Sequence, residues 1–461
     1  MRAALGPCEA ATRGCRRLVS LGGVPLSLPS PRSSLPRMPD LAPDPSMLAD
    51  DALLDLVQRQ TVRYFWEGGH PVSGLARDRL KTTGNKPNDL VAIGGSGFGI
   101  MAIIVAVERG WVDRVEALGR LHRMLDLLEG SPRYHGMFPH FIDGRTGATI
   151  PFRRKDDGAD VVETTFLFQG LICAREYLDR SAGGEQRFRG RVNALLAQAE
   201  WDWFQRKGKL YWHWSPKHGW AMNNPIEGWN ECLLAFVLAA GSQHHAIDPG
   251  CYHNGFAAGP AFHNRREHHG IELPLGTDFG GPLFFAHYSF CGLDPRALRD
   301  RHADYWEQNV RHARINHRHC VLNPHGHQGY GADCWGLTAS HGPTGYVAHA
   351  PDRDIGVITP SAALSSFPYM PDQAMSALRG FLAKPGKRIW GRFGFVDAFC
   401  ENRNWYARTC LAINQGPIVA MIENYRTGLL WKLFMSAPEV RLGLARLGFT
   451  RPSPDHDVHS A

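Results

Sequence analysis

The chain has 461 residues, 43% hydrophobic and 21% charged, with 51 basic and 44 acidic side chains for a formal net charge of +7. That balance is ordinary for a globular protein and excludes a collagen-like, fibrous or wholly disordered chain. Apolar runs at 99–107 and 233–241 fall far short of the roughly 20 residues a bilayer span needs, and no lysine/arginine stripe tracks a phosphate backbone, so neither a membrane span nor a nucleic-acid partner is expected.

Residues 1–46 are rich in Pro, Ser, Arg and Leu without periodicity, and read as a disordered tail or as the product of an upstream start codon, with Met38 or Met47 as the true beginning. Arg16-Arg17 ahead of Leu18-Val19-Ser20-Leu21 has the look of a twin-arginine export signal, but Gly22, Gly23, Pro25 and Pro29 break the apolar stretch such a signal needs. The sequence alone therefore points to the cytoplasm, with periplasmic export as the alternative. Residues 47–450 contain no Pro/Gly/Ser-rich linker and are expected to form one domain, followed by a second disordered tail at 451–461.

Within that domain helices of two kinds alternate. Segments 50–66, 113–128, 186–206, 295–314, 372–381 and 438–447 are amphipathic, with apolar residues recurring at three and four positions. Segments 97–107, 161–177, 229–240, 281–291, 361–369 and 418–425 are apolar or small on nearly every face and must be surrounded by protein. Six outer/inner pairs are satisfied by an inner ring wrapped in an outer one, an all-α (α/α)6 barrel. Short strands at 134–142, 149–152 and 210–214 would lie as hairpins across one mouth.

The ten cysteines contain no CxxC pair, which predicts small buried hydrophobes in a reducing compartment. Among 23 histidines, His244-His245, His317-x-His319 and His325-x-His327 stand out. No HExxH motif or Cys/His finger completes a metal site, so no metal or other cofactor is expected. The glycine-rich string at 95–99 lacks the Lys-Ser/Thr of a phosphate loop and is better suited to close helix packing.

Two acidic groups could carry chemistry. Asp156, Asp160 and Glu163 would share one face if the helix at 161–177 extended back to the first of them. Mutual repulsion and the helix N-terminus would then push their pKa values apart, as acid/base pairs require. Asp160 with Glu163 three residues later is equally a capping box that satisfies free amides. Glu227 and Glu231 flank the apolar helix at 229–240, where partial desolvation favours a protonated Glu231, although a first-turn glutamate also complements the helix dipole. Aromatic residues cluster in turn-like segments, among them Trp212, Trp214, Trp229, Trp335 and Trp405, beside Arg77, Asp78 and Arg403. Flat faces next to hydrogen-bonding groups suit a sugar ring.

Tyr64-Phe65-Trp66, Gly74-Leu75-Ala76-Arg77-Asp78-Arg79, Gly95-Ser96-Gly97-Phe98-Gly99, Asp160-Val161-Val162-Glu163-Thr164, Gly228-Trp229-Asn230-Glu231, Cys334-Trp335-Gly336, Phe393-Gly394-Phe395-Val396-Asp397 and Gln415-Gly416-Pro417, taken in order, resemble the glucoamylase-like domain of glycoside hydrolase family 144, the β-1,2-glucanase family. The resemblance covers about 50–450. It implies an (α/α)6 barrel that hydrolyses β-linked glucan, β-1,2-glucan or sophoro-oligosaccharides, with inversion. It implies Glu231 as the acid that protonates the leaving oxygen and Asp160 or Glu163 as the base. Asp156, Asp397, Arg77, Asp78, Trp229, Glu227, Trp335, Arg403 and Trp405 would bind substrate. Asn414 stands where relatives usually carry aspartate, and Ser340-His341 where an acidic residue is common. Those departures motivate the alternative of a catalytically silent carbohydrate-binding or glucan-synthase-associated barrel.

Overall fold

A helix without a polar face needs neighbours on every side, and the computed structural model, which describes residues 48–83, 88–179, 181 and 183–450, supplies them. The fold is mostly helical. Helix α1 (Asp50–Trp66) and the apolar α2 (Ile93–Glu108) are followed by α3 (Arg114–Gly130), α4 (Val161–Tyr177), α5 (Gly183–Ala197) and α6 (Leu233–Gly241). Helices α7 (Tyr305–Leu322), α8 (Pro360–Leu364), α9 (Pro371–Ala383), α10 (Ala412–Arg426), α11 (Leu429–Ser436) and α12 (Pro438–Arg446) complete the set. Helix α2 is buried along nearly its whole length and packs against α1, α4 and α10, while the amphipathic α3 and α5 lie against each other outside α2 and α4.

Missing side chains make the inner crossings possible. A Cβ on Gly97 would stand 1.9 Å from the Phe166 carbonyl oxygen, and one on Gly170 would stand 2.1 Å from that of Gly97. The 95–99 string thus does what its composition suggests, holding α2 against α4. All eight described cysteines are free and buried. Among the described residues no helix is long and apolar enough to cross a membrane. The export-like segment, Met38, Met47 and the second tail lie outside the described residues.

Expected and observed helices differ in several places; the segment at 361–369 is helical only over Pro360–Leu364, and Leu429–Ser436 is a helix not expected from the sequence. The outer segment at 186–206 stops at Ala197 and continues as a 3-10 turn, Trp201–Phe204, whose Trp201 and Phe204 turn into the core. The segment at 295–314 slides to Tyr305–Leu322. Asp294 and Asp300 bond the backbone amides of Arg296, His302 and Ala303 in local turns, and Asp304 caps the helix through the Glu307 amide. The inner segment at 281–291 is two 3-10 turns, Leu283–Ala286 and Ser289–Cys291. It is entered through Gly280 and Gly281, whose φ of 90° and 75° only glycine adopts at little cost. The segment at 229–240 begins as helix only at Leu233, leaving Trp229 and Glu231 in the preceding turn.

Short antiparallel strands connect these helices. Leu90–Ala92, Phe141–Asp143 and Thr149–Ile150 form one small sheet, and Ala159–Asp160 pairs with His213–Trp214 directly ahead of α4. Two further hairpins, His263–His268 with Ile271–Leu275 and Ala339–Gly342 with Gly345–Ala348, were not expected from the sequence.

Candidate active site

Two small pairings fix the N-terminus of α4. The Asp160 amide donates to the Phe138 carbonyl (2.8 Å) and that of Val161 to the Trp212 carbonyl (3.0 Å), so the acidic segment is strand and turn up to the first helical residue. Asp156 therefore lies in a turn with Arg153 and shares no helix face with Glu163. Histidines bring the three carboxylates together instead. His213 Nδ1 is 3.4 Å from Asp156 and 3.8 Å from Asp160. His140 Nδ1 lies 3.0 Å from Asp160 and its Nε2 lies 3.8 Å from Glu163.

Asp160 is a saturated anion. One oxygen accepts from the Val162 and Glu163 amides and the Trp212 indole, each at 3.0 Å, and the other faces His140. Burial alone would raise its pKa, but His213, His140 and the Glu163 amide outweigh burial and hold it below the usual range. The capping function expected of Asp160 is present together with a place in the carboxylate cluster. Glu163 differs: its single hydrogen bond comes from the Gly94 amide (2.7 Å) in the first turn of α2. Burial, reinforced by the charge of Asp160 and opposed by His140, lifts Glu163 to about 7. Burial likewise raises Asp156. Burial would lower His140, but Glu163, Asp160 and Asp156 overcome that and raise it to about 10.

Glu231 comes from the turn before α6. Its carbonyl accepts from Ser289 Oγ (2.5 Å), and that hydroxyl in turn accepts from the Leu234 amide, so the turn Ser289–Cys291 sets where the helix begins. Burial raises the Glu231 carboxyl to about 7, with added repulsion from Glu163 and Asp160. Of the second acidic group, Glu231 thus shares the electrostatics of Asp160 and Glu163.

Asp397 occupies a neighbouring network. It accepts from the His341 amide (2.7 Å), the His341 ring (2.8 Å) and Asn414 Nδ2 (2.7 Å). Asn414 accepts from the Tyr288 hydroxyl (3.1 Å), and Arg79 bridges His341 to Asp78. Asn414 thus supplies a donor to a buried carboxylate.

Other sequence candidates sit elsewhere. Trp229 is only 3% exposed and is packed among Phe256, Phe262, Phe290 and Tyr305. Trp335 is fully buried, its indole donating to the Gln373 carbonyl. Neither offers a face to a ligand here, because both fill gaps between elements. Arg77 gives its donors to the carbonyls of Gly68, Gly69 and Asn88, bracing the loop that carries Asp78. Glu227 pairs with Lys209. Arg403 is exposed in a 3-10 turn, and Trp405 packs on Val357, Ala398 and Cys400.

The flat faces beside the carboxylates belong to Phe152, given no role from the sequence, and to Trp212, one of the aromatic residues expected to face a sugar ring. Phe152 is 41% exposed and stacks on His140 (4.5 Å between centroids), and half-buried Trp212 stacks on His213 (5.9 Å). His140 carried no motif, and its only signal was membership of a strand expected to run across the mouth. Among the described residues two groups gather three metal-ligating atoms within 4.8 Å of one another, Asp156 with Asp160 and His213, and His319 with His325 and Asp354.

A family model described as "Putative glucoamylase" matches residues 223–438. A Bacteroides uniformis protein whose crystal structure carries the same description is 53% identical, with a TM-score of 0.85 over 88% of this chain and 98% of its own. The endo-β-1,2-glucanase of Chitinophaga pinensis, solved with sophorotriose and glucose, is 47% identical, with a TM-score of 0.86 over 88% of this chain and 99% of its own. The exo β-1,2-glucooligosaccharide sophorohydrolase (non-reducing end) of Parabacteroides distasonis is 42% identical over 423 residues, 87% of this chain. This chain spans 58% of that relative's length.

Proposed function

The chain belongs to the glucoamylase-like glycoside hydrolase family 144, and from that premise we propose that it hydrolyses β-1,2-glucan or sophoro-oligosaccharides with inversion at the anomeric carbon. The observation that carries this reading is one cluster of buried and part-buried carboxyls in which Glu231 and Glu163 are both lifted to about 7 around an Asp160 held ionised. A group near neutrality can give or take a proton at physiological pH, whereas a saturated anion serves to position and polarise.

In this reading Glu231, protonated, donates to the glycosidic oxygen as the bond to the anomeric carbon breaks. Glu163, ionised, takes a proton from the water that attacks the opposite face. Asp160 is the poorer base of the two expected, because three donors occupy one of its oxygens, His140 meets the other, and its pKa is held below the usual range. His140 favours the ionised state of Glu163, and Phe152 and Trp212 offer the apolar faces a glucosyl ring needs. Asp156 and Asp78 would bind hydroxyls, and Asp397 would position His341 and Asn414. Residues 47–450 are read as one domain, its outer and inner helices as an (α/α)6 barrel whose fourth inner member is made of 3-10 turns.

Incubating the purified protein with β-1,2-glucan, laminarin and cellulose tests the reading. Reducing ends should appear from β-1,2-glucan alone, the first product anomer should be α by proton NMR, and Glu231→Gln should lower kcat by about 10²–10⁴. Inactivity on every glucan would remove it, as would a Glu231→Gln variant indistinguishable from wild type.

A further inference from the structure

Outside the carboxylate cluster, the other group of three ligating atoms found among the described residues surrounds Asp354. This residue follows the turn Pro351–Arg353 and is met by the C-terminal end of α7 and the loop after it. One oxygen of Asp354 is fixed by the Tyr330 hydroxyl (2.7 Å) and the Gly356 amide (2.9 Å). The other is presented to His319 Nε2 at 3.0 Å. The second nitrogen of His319, Nδ1, faces His269 Nε2 at 3.1 Å. That is the pattern around a metal-bound histidine, in which the nitrogen away from the ion donates to a neighbour and so fixes ring and tautomer.

The loop after α7 adds two more imidazoles. Asn323, with φ of 46°, ends the helix in the left-handed conformation, and its side chain clasps residue 327 through the backbone amide (2.7 Å) and carbonyl (2.8 Å). Gly326 then turns at φ of 66° and leaves His325 and His327 on a fixed scaffold. His327 Nε2 is buried without a hydrogen bond, 3.5 Å from Asp354. His325 is exposed and has a ligating atom within 4.8 Å of those of His319 and Asp354. A proton on His319 Nε2 would satisfy that one pair, but it gives His327 Nε2 no partner and His325 no reason to converge on the same carboxylate.

We propose that His319, His325 and Asp354 bind a divalent transition-metal ion, best matched by zinc, with His327 beside the fourth position. Two imidazoles and a carboxylate are a zinc donor set, and an ion with bonds of about 2.0–2.1 Å holds its ligand atoms about 3.3 Å apart. The exposed His325 ring is the part free to close that gap. The site would tie the end of α7 to the loop at 349–357, a stabilising role that stands apart from the hydrolytic reading above.

The test uses the full chain, stripped with a chelator and titrated with Zn²⁺ by calorimetry and with Co²⁺ by visible absorption. The expected result is one saturable site per chain, tetrahedral by the cobalt spectrum, with a thermal midpoint that rises on adding Zn²⁺. His325→Ala, an exposed change that leaves the core intact, should weaken that site at least tenfold and abolish the thermal shift, while His244→Ala keeps both. His269→Asn retains a residue tolerant of φ near 53°, and should weaken binding about 10–100-fold at unchanged stoichiometry. Binding without a saturable site, or a site that survives His325→Ala undiminished, would overturn the proposal.

Discussion

The two ends of α2 each meet a glutamate, and the two are built in opposite ways. At the C-terminal end Glu423 of α10 is fully buried and accepts from Arg109 Nε and Nη2 (3.0 Å each), Gln58 (3.2 Å) and the Thr427 hydroxyl (2.8 Å). At the N-terminal end Glu163 of α4 has the Gly94 amide and, 3.8 Å away, an imidazole nitrogen. A carboxylate with a cation and two further donors is a structural clamp. One with a single donor, crowded by other carboxyls, is free to change protonation. In the proposed reading, chemistry sits where α2 leaves a carboxyl under-satisfied.

Exchanging the roles is the sharpest way to break that contrast. Glu163→Gln should lower kcat by about 10²–10⁴ and leave the thermal midpoint at pH 8 unchanged or higher, since the substitution removes a carboxylate whose ionised form burial disfavours. Arg109→Ala should do the reverse. It strands the buried Glu423 and should cost about 3–5 kcal/mol in denaturant unfolding, with activity per folded molecule unchanged. Activity lost in the folded Arg109→Ala protein would mean that the two ends are not independent. Gly94→Ala should have a smaller effect. Its Cβ would stand 2.7 Å from Glu163 Oε2, displacing the carboxylate by part of an ångström, and about 10²-fold in kcat is expected from such misplacement, read in steady-state kinetics with circular dichroism as the control.

The same contrast explains what could be read in advance. Asp160 and Glu163 were legible because a capping box and an acidic cluster are local patterns, and Glu231 because an acid at the head of an apolar helix is one too. The 95–99 string was legible because glycines in an apolar helix have few uses besides close packing. Trp229 and Trp335 lie buried where exposed faces are expected, because tryptophan composition does not distinguish a platform from a plug and burial is decided by distant elements such as Phe290 and Gln373. His140 was invisible because its role arises from strand pairings that bring Phe141–Asp143 against Leu90–Ala92 and Asp160 against His213. The inner helix expected at 281–291 fails for a local reason that apolar composition does not reveal: Phe279 at φ of 60°, then Gly280 and Gly281, put positive φ at its start.

The smallest expected effect is a shift in pH dependence, and it tests whether His140 links the two states of Glu163. Because the folded pKa of His140 is raised from 6.5 to about 10, the stability its charge contributes is complete below about pH 6.5 and is lost as pH rises through about 10. Wild type should therefore lose more stability than His140→Gln across that window. In activity, the acid limb follows ionisation of Glu163 and the alkaline limb deprotonation of Glu231, both near 7, so the wild-type profile should be a narrow bell whose apparent values belong to the coupled pair. Removing the cation leaves burial and Asp160 to raise Glu163 further. The acid limb of His140→Gln should then move to higher pH and the maximum should fall, with the alkaline limb in place. An acid limb unmoved by the substitution would detach His140 from the base and leave its stacking on Phe152 as its contribution to the site.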